Sequence, residues 1–81
     1  WGGYSASKAA LDHLTRIWQE ELRETGVHFF SVDPGDMDTP MHQAAIPDAD
    51  PAQLRKPAES ARLLTQLIRS GAYREKTRWS L

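Results

Sequence analysis

Tyr4 and Lys8 stand four residues apart in Tyr4-Ser5-Ala6-Ser7-Lys8, at the head of a stretch patterned as a helix. One helical turn puts the phenol and the ammonium on the same face, within reach of each other. A phenol titrates at about 10 in water, so a tyrosine exchanges protons poorly at neutral pH unless its phenolate is stabilised. A fixed cation beside it favours that charged form. The spacing therefore describes an acid/base pair. Its bland counterpart is an aromatic packed at a helix head next to a solvated lysine. A second group, Pro34-Gly35 followed by Thr39, sits after an apolar run, where a strand gives way to a loop. Pro34-Gly35 could simply end that strand, and Thr39 could cap a short turn.

The elements that position these residues are readable from periodicity. Leu11, Leu14, Ile17, Trp18 and Leu22 recur at spacings of three and four, marking one buried helix face. Gly2 and Gly3 read as a flexible entry, Ser5 or Ser7 as a cap, and Gly26 as the stop. Asp12–Arg16 and Arg16–Glu20 have the spacing for weak support along the helix. Val27 to Val32 is short, continuously apolar and rich in β-branched and aromatic residues, as in a buried strand of a parallel sheet. Between Asp36 and Pro57 the chain is loop-like, with a short helical turn around Met41–Ala45. A loop of that length is uncommon without a job such as covering a binding site. Pro57 opens a second helix through Ala61, Leu63, Leu64, Leu67 and Ile68, closed by Ser70-Gly71. Residues 73–81 read either as an edge strand or as a tail.

Eighty-one residues allow at most one small domain, near the size where a single core is only marginally stabilising. The formal charge of −1 shows no basic footprint for nucleic acid, and no apolar stretch approaches a membrane span. Cysteine is absent, which excludes disulfides and thiolate metal sites. His13, His28 and His42 are scattered, and although Asp36, Asp38 and His42 fall close together, no tight ligand motif joins them. No metal is expected. The opening on Trp1-Gly2-Gly3 reads as the interior of a longer protein, and with no export signal in view the expected location is cytoplasmic.

Taken together, Tyr4-Ser5-Ala6-Ser7-Lys8-Ala9-Ala10-Leu11, Glu21-Leu22, Gly26-Val27, Pro34-Gly35 and Thr39-Pro40-Met41 resemble the C-terminal half of the short-chain dehydrogenase/reductase family. The match holds in order and spacing over roughly residues 1–70, which makes it far more specific than a lone Tyr-x-x-x-Lys. The resemblance implies an α/β fold, the C-terminal fragment of a doubly wound parallel-sheet (Rossmann-like) domain that binds NAD or NADP. In those terms residues 4–25 are the catalytic helix, 27–32 a strand, 36–57 the substrate and cofactor loop, and 57–70 a helix.

The family's roles carry over onto matching positions. Tyr4 looks like the acid/base that exchanges a proton with the substrate oxygen. Lys8 is similar to the lysine that holds the nicotinamide-ribose hydroxyls and favours the tyrosine's phenolate. Pro34 and Gly35 begin the loop under the nicotinamide, Met37 falls where the backbone contacts the carboxamide, and Thr39 where a hydroxyl meets the carboxamide or pyrophosphate. Met37 departs from the family's usual β-branched residue, which a backbone contact tolerates. Met41 and His42, just after Thr39, are read as lining the substrate pocket.

The family's Gly-rich phosphate loop, its adenosine-reading residue and its catalytic Ser find no counterpart in these residues. The resemblance thus implies an NAD(P)-dependent oxidoreductase, acting on a carbonyl or secondary alcohol, of which this is an incomplete part, inactive by itself. Its partners would be the small-molecule substrate, the N-terminal half of the domain, and a second subunit packed on the helix of residues 4–25. The competing expectation is a non-catalytic fragment that only self-associates through its helical face.

Overall fold

Helix α1, Gly2–Glu21, is the longest element of a computed structural model that describes all 81 residues. It begins earlier than the glycines promise. Trp1 is the N-cap and supplies no side-chain bond, but its carbonyl accepts from the Ser5 N–H at 2.9 Å and draws Gly2 and Gly3 into the first turn. Ser7 does not cap; its hydroxyl donates backwards to the Tyr4 carbonyl at 2.8 Å. The α-helix ends at Glu21, and a 3-10 turn, Arg23–Thr25, replaces the last turn expected of it. Thr25 Oγ1 donates to the Leu22 carbonyl at 2.7 Å, and Gly26, at φ 81°, reverses the chain in the left-handed region that glycine tolerates.

Val27 to Phe30 carry no ladder, although their composition is that of a strand; β1 is confined to Ser31–Asp33. The partner explains the shortfall. Strand β2, Arg78–Ser80, is three residues long and offers hydrogen bonds to no more of the run. The Ser31 N–H donates to the Thr77 carbonyl at 2.8 Å and the Leu81 N–H to the Asp33 carbonyl at 2.9 Å, so the two strands run parallel. Parallel neighbours need a long crossover, and here it holds every intervening helix. Of residues 73–81, Arg78–Ser80 form the strand, while Ala72–Glu75 form a 3-10 turn.

Two compact units divide the chain: residues 1–32 with 73–79, and residues 33–72 with 80–81. In the first unit, the unladdered run packs rings. Trp18 meets Phe29 at 6.0 Å between ring centres, and Phe30 stacks on Tyr73 at 5.2 Å. Gln19 Oε1 accepts from the Phe29 N–H at 2.6 Å, binding the run to α1. The charges along α1 do not pair at the helical spacing expected: Asp12 bonds Arg78 at 2.8 Å, Arg16 meets His13 Nδ1 at 3.0 Å, and Glu20 pairs with Arg23. Leu11, Leu14, Ile17, Trp18 and Leu22 all remain exposed.

The second unit contains α2, Pro40–Ala45, and α3, Pro57–Ser70, joined through a 3-10 turn at Pro51–Gln53. Both α-helices begin on proline, whose missing N–H costs nothing at a first helical position. Thr39 Oγ1 caps α2 by accepting from the His42 N–H at 3.1 Å, and Asp50 caps the 3-10 turn in the same way. Leu67 on α3 is the one large apolar side chain that is buried. The stretch between the strand and α3 is therefore not featureless: a helix, a 3-10 turn and a parallel bridge between Met37 and Arg55 organise it.

Candidate active site

Tyr4 and Lys8 lie on the first turns of α1, in the first unit. Lys8 Nζ sits 5.5 Å from the centre of the Tyr4 ring, within range of a cation–π contact. The edge of Trp1 meets the same ring at 6.2 Å. Tyr4 is 48% exposed, its hydroxyl takes part in no hydrogen bond within the chain, and Lys8 forms no ion pair. The arrangement is a phenol with an available O–H and a cation at its side.

Pro34, Gly35, Met37 and Thr39 belong to the second unit. The Pro34 carbonyl accepts two bonds, from Arg55 Nη1 at 2.9 Å and from Ser60 Oγ at 2.8 Å. Gly35 lies at φ 79°, and its N–H donates to Asp33 Oδ1 at 2.9 Å, closing a tight turn directly after β1. The next residues run as a one-bridge ladder. The Arg55 N–H donates to the Asp36 carbonyl at 3.0 Å, and the Asp38 N–H donates to the Arg55 carbonyl at 2.9 Å. In a parallel bridge the residue between those two bonds directs its own N–H and C=O to the opposite side. Met37 therefore presents a donor and an acceptor, side by side, away from Arg55. Thr39 uses an oxygen lone pair as the α2 cap, which leaves its hydroxyl proton free to donate.

The sequence profile of the short chain dehydrogenase family matches residues 1–50, more than half of the chain. The chain belongs to the short-chain dehydrogenase family. It is 32% identical to an uncharacterised oxidoreductase of Escherichia coli, YciK, over 59 residues, which are 73% of this chain and 23% of that protein. It is 50% identical over 38 residues, 47% of its length and 16% of the relative's, to an uncharacterised oxidoreductase of Staphylococcus saprophyticus. A Staphylococcus epidermidis oxidoreductase, also uncharacterised, is 47% identical over a stretch of the same length, 38 residues. The chain thus spans less than a quarter of the length of these relatives. No solved structure matches it significantly.

Two residues of this short-chain dehydrogenase segment carry more of the site than their spacing signals. Arg55 and Ser60 hold the Pro34 carbonyl, yet neither belongs to a motif, and the long-range bonds that give them their roles leave no periodic trace. Met41 is largely exposed on α2, while His42 is half-buried with its Nδ1 shielded and unpartnered. Asp38 pairs with Lys56 at 3.2 Å. No three His, Asp or Glu side chains come together as a metal site, and no helix is long and apolar enough to cross a membrane.

Proposed function

We propose that the chain supplies the proton-transferring pair and the nicotinamide-facing loop of an NAD(P)-dependent oxidoreductase that interconverts a carbonyl and a secondary alcohol. The observation that carries this reading is the Lys8 ammonium beside the ring of an exposed Tyr4 whose hydroxyl is unengaged. In reduction, the Tyr4 O–H bond breaks as its proton passes to the substrate oxygen, and the substrate carbon takes up a hydride. The phenolate left behind is stabilised by Lys8; in oxidation the same atoms run backwards. Bound nicotinamide supplies or accepts the hydride.

The loop fits such a group. A carboxamide offers one carbonyl and one amino group, and the outward N–H and C=O of Met37 are the complementary pair. The free proton of Thr39 adds a donor for the carboxamide or a pyrophosphate oxygen. Pro34 and Gly35 set the course of the chain into this stretch. Lys8 would hold ribose hydroxyls as well as support Tyr4. The N-terminal half of the domain would bring the phosphate-binding loop that these residues lack.

The test is reduced-nicotinamide oxidation by the complete polypeptide over a panel of ketones. Tyr4→Phe should lower turnover by at least about a hundredfold, the scale of general acid–base catalysis, with cofactor affinity nearly unchanged. Retained turnover would remove Tyr4 from the mechanism.

A second, non-catalytic reading is favoured by the exposure of Leu11, Leu14, Ile17, Trp18 and Leu22 along α1. Such a stripe supports self-association, in a homo-oligomer of the enzyme or of the fragment alone. Sedimentation of the chain with Leu14→Glu and Ile17→Glu separates the cases. An unchanged monomer–oligomer distribution would rule out association through this face.

A further inference from the structure

Arg55 lies between the 3-10 turn and α3, where nothing in the sequence marks chemistry. Its backbone and its side chain serve the same short segment. The backbone brackets Met37, bonding the Asp36 carbonyl on one side and the Asp38 N–H on the other. The guanidinium donates from Nη1 to the Pro34 carbonyl at 2.9 Å and from Nη2 to the Leu81 carbonyl at 3.0 Å. It also passes so close to Gly35 that a Cβ there would lie 3.3 Å from Nη1. No Asp or Glu side chain pairs with Arg55; its donors go to two main-chain oxygens, the Pro34 carbonyl and that of Leu81. A charged side chain spent on backbone carbonyls fixes the path of the backbone.

We infer that Arg55 is the positioning residue of the loop: clamped between the Pro34 and Leu81 carbonyls, it holds residues 34–38 in the register that turns the N–H and C=O of Met37 outward to receive a carboxamide. The inference rests on the reading of Met37 as a nicotinamide contact and adds the residue that prepares it. Arginine suits the task because its planar fork serves two carbonyls in fixed geometry, whereas a lysine ammonium is a single point on a flexible stem. Arg55 touches neither substrate nor cofactor in this scheme. It acts through Met37.

Two measurements decide it. The first is amide hydrogen exchange on the chain with Arg55→Met. The Asp38 and Gly35 amides should exchange about tenfold faster, the scale of one charge-assisted hydrogen bond, while amides in α3 from Leu64 to Ile68 keep their protection. Unchanged exchange at both loop amides overturns the clamp. If Arg55→Met loses protection in α3 as well, Arg55→Lys is read by the same criteria; it retains a donor for one carbonyl and should show a smaller acceleration confined to the loop. Acceleration spread through α3 in both variants also overturns the inference, because Arg55 would then serve general stability.

The second is cofactor discrimination in the complete polypeptide, using NAD(P)H and its 3-acetylpyridine analogue, which lacks the amino donor of the carboxamide. Arg55→Met should cut kcat/KM for the natural cofactor about tenfold more than for the analogue, and Arg55→Lys should recover part of the difference. Equal losses with both cofactors overturn the positioning role. Absence of any reduced-nicotinamide oxidation in the unaltered polypeptide defeats the functional reading and this role with it, while the exchange data still report separately whether the clamp exists.

Discussion

Ser60 Oγ donates to the Pro34 carbonyl at 2.8 Å from a residue that is only 4% exposed. The bond fastens the first turn of α3 to the residue that follows β1. Pro34 has no N–H, so its carbonyl is its only main-chain hydrogen-bonding group, and both lone pairs of that oxygen are engaged, one by Ser60 and one by Arg55. Ser60→Ala should therefore destabilise the chain by about 1 kcal/mol, the worth of one partly redundant hydrogen bond, because Arg55 still satisfies the carbonyl. Urea denaturation followed by far-ultraviolet dichroism reads the change. A loss above about 3 kcal/mol would show that Ser60 holds more than this one bond.

Gly35 and Gly71 offer a controlled comparison, since both lie at φ 79° and differ in what surrounds them. An alanine Cβ at Gly71 meets no atom within 4 Å, while at Gly35 it meets the Arg55 guanidinium at 3.3 Å. Left-handed backbone costs a non-glycine residue roughly 1–2 kcal/mol, so both substitutions destabilise. Gly35→Ala should cost more, and the excess should vanish in an Arg55→Met background. An equal cost at the two sites, with no dependence on Arg55, would mean the guanidinium yields freely to the new methyl group.

The difference between those glycines also shows what the sequence could and could not reveal. The stops at Gly26 and Gly71, the proline start of α3 and the apolar period of α1 are local signals, and local hydrogen bonding honours them. The strand reading of residues 27–32 overran because a ladder needs a partner, and the partner's length is written elsewhere in the chain. Gly35 is legible as a turn residue, but its closeness to Arg55 comes from residues twenty positions apart and has no periodicity to detect. The pairing of Asp12 with Arg78 was invisible for the same reason, whereas its helical spacing to Arg16 offered a local partner that the structure does not use.

That Asp12–Arg78 contact, at 2.8 Å, joins side chains that are 34% and 51% exposed. Solvent screens such a pair, so Asp12→Asn should cost no more than about 1 kcal/mol. The cost should shrink towards zero in roughly 1 M salt, where screening is effective over about 3 Å. Thermal unfolding of Asp12→Asn and of the unaltered chain at low and high ionic strength measures it. A salt-independent loss would place the carboxylate in a drier setting than its exposure indicates.

The 81-residue chain by itself should show no saturable binding of NADH or NADPH by reduced-nicotinamide fluorescence. Pyrophosphate is held where a glycine-rich turn delivers a strand into a helix N-terminus. Neither α2, which follows Thr39, nor α3, which follows Lys56, is entered that way. The two carboxamide contacts proposed above for Met37 and Thr39 are too few to hold a whole cofactor. Saturable binding at micromolar concentrations would show that these residues hold phosphate by some other means.

Tyr4→Phe separates chemistry from architecture at the centre of the proposed site. The ring makes the contacts with Trp1 and Lys8, and the hydroxyl makes no bond within the chain, so deleting the oxygen removes no internal interaction. Stability should stay within about 0.5 kcal/mol of the unaltered chain, as for surface substitutions that break no specific feature. Lys8→Met should be equally mild for folding, since it gives up only an exposed cation–π contact worth about 0.5–1 kcal/mol. In the complete polypeptide both substitutions should nevertheless suppress turnover, because one removes the proton and the other the charge that stabilises the resulting phenolate. Lys8→Arg keeps a cation but broadens and re-aims it, so it should recover folding fully and turnover only in part. A variant series in which activity follows melting temperature would make the pair structural; activity lost at constant melting temperature makes it chemical.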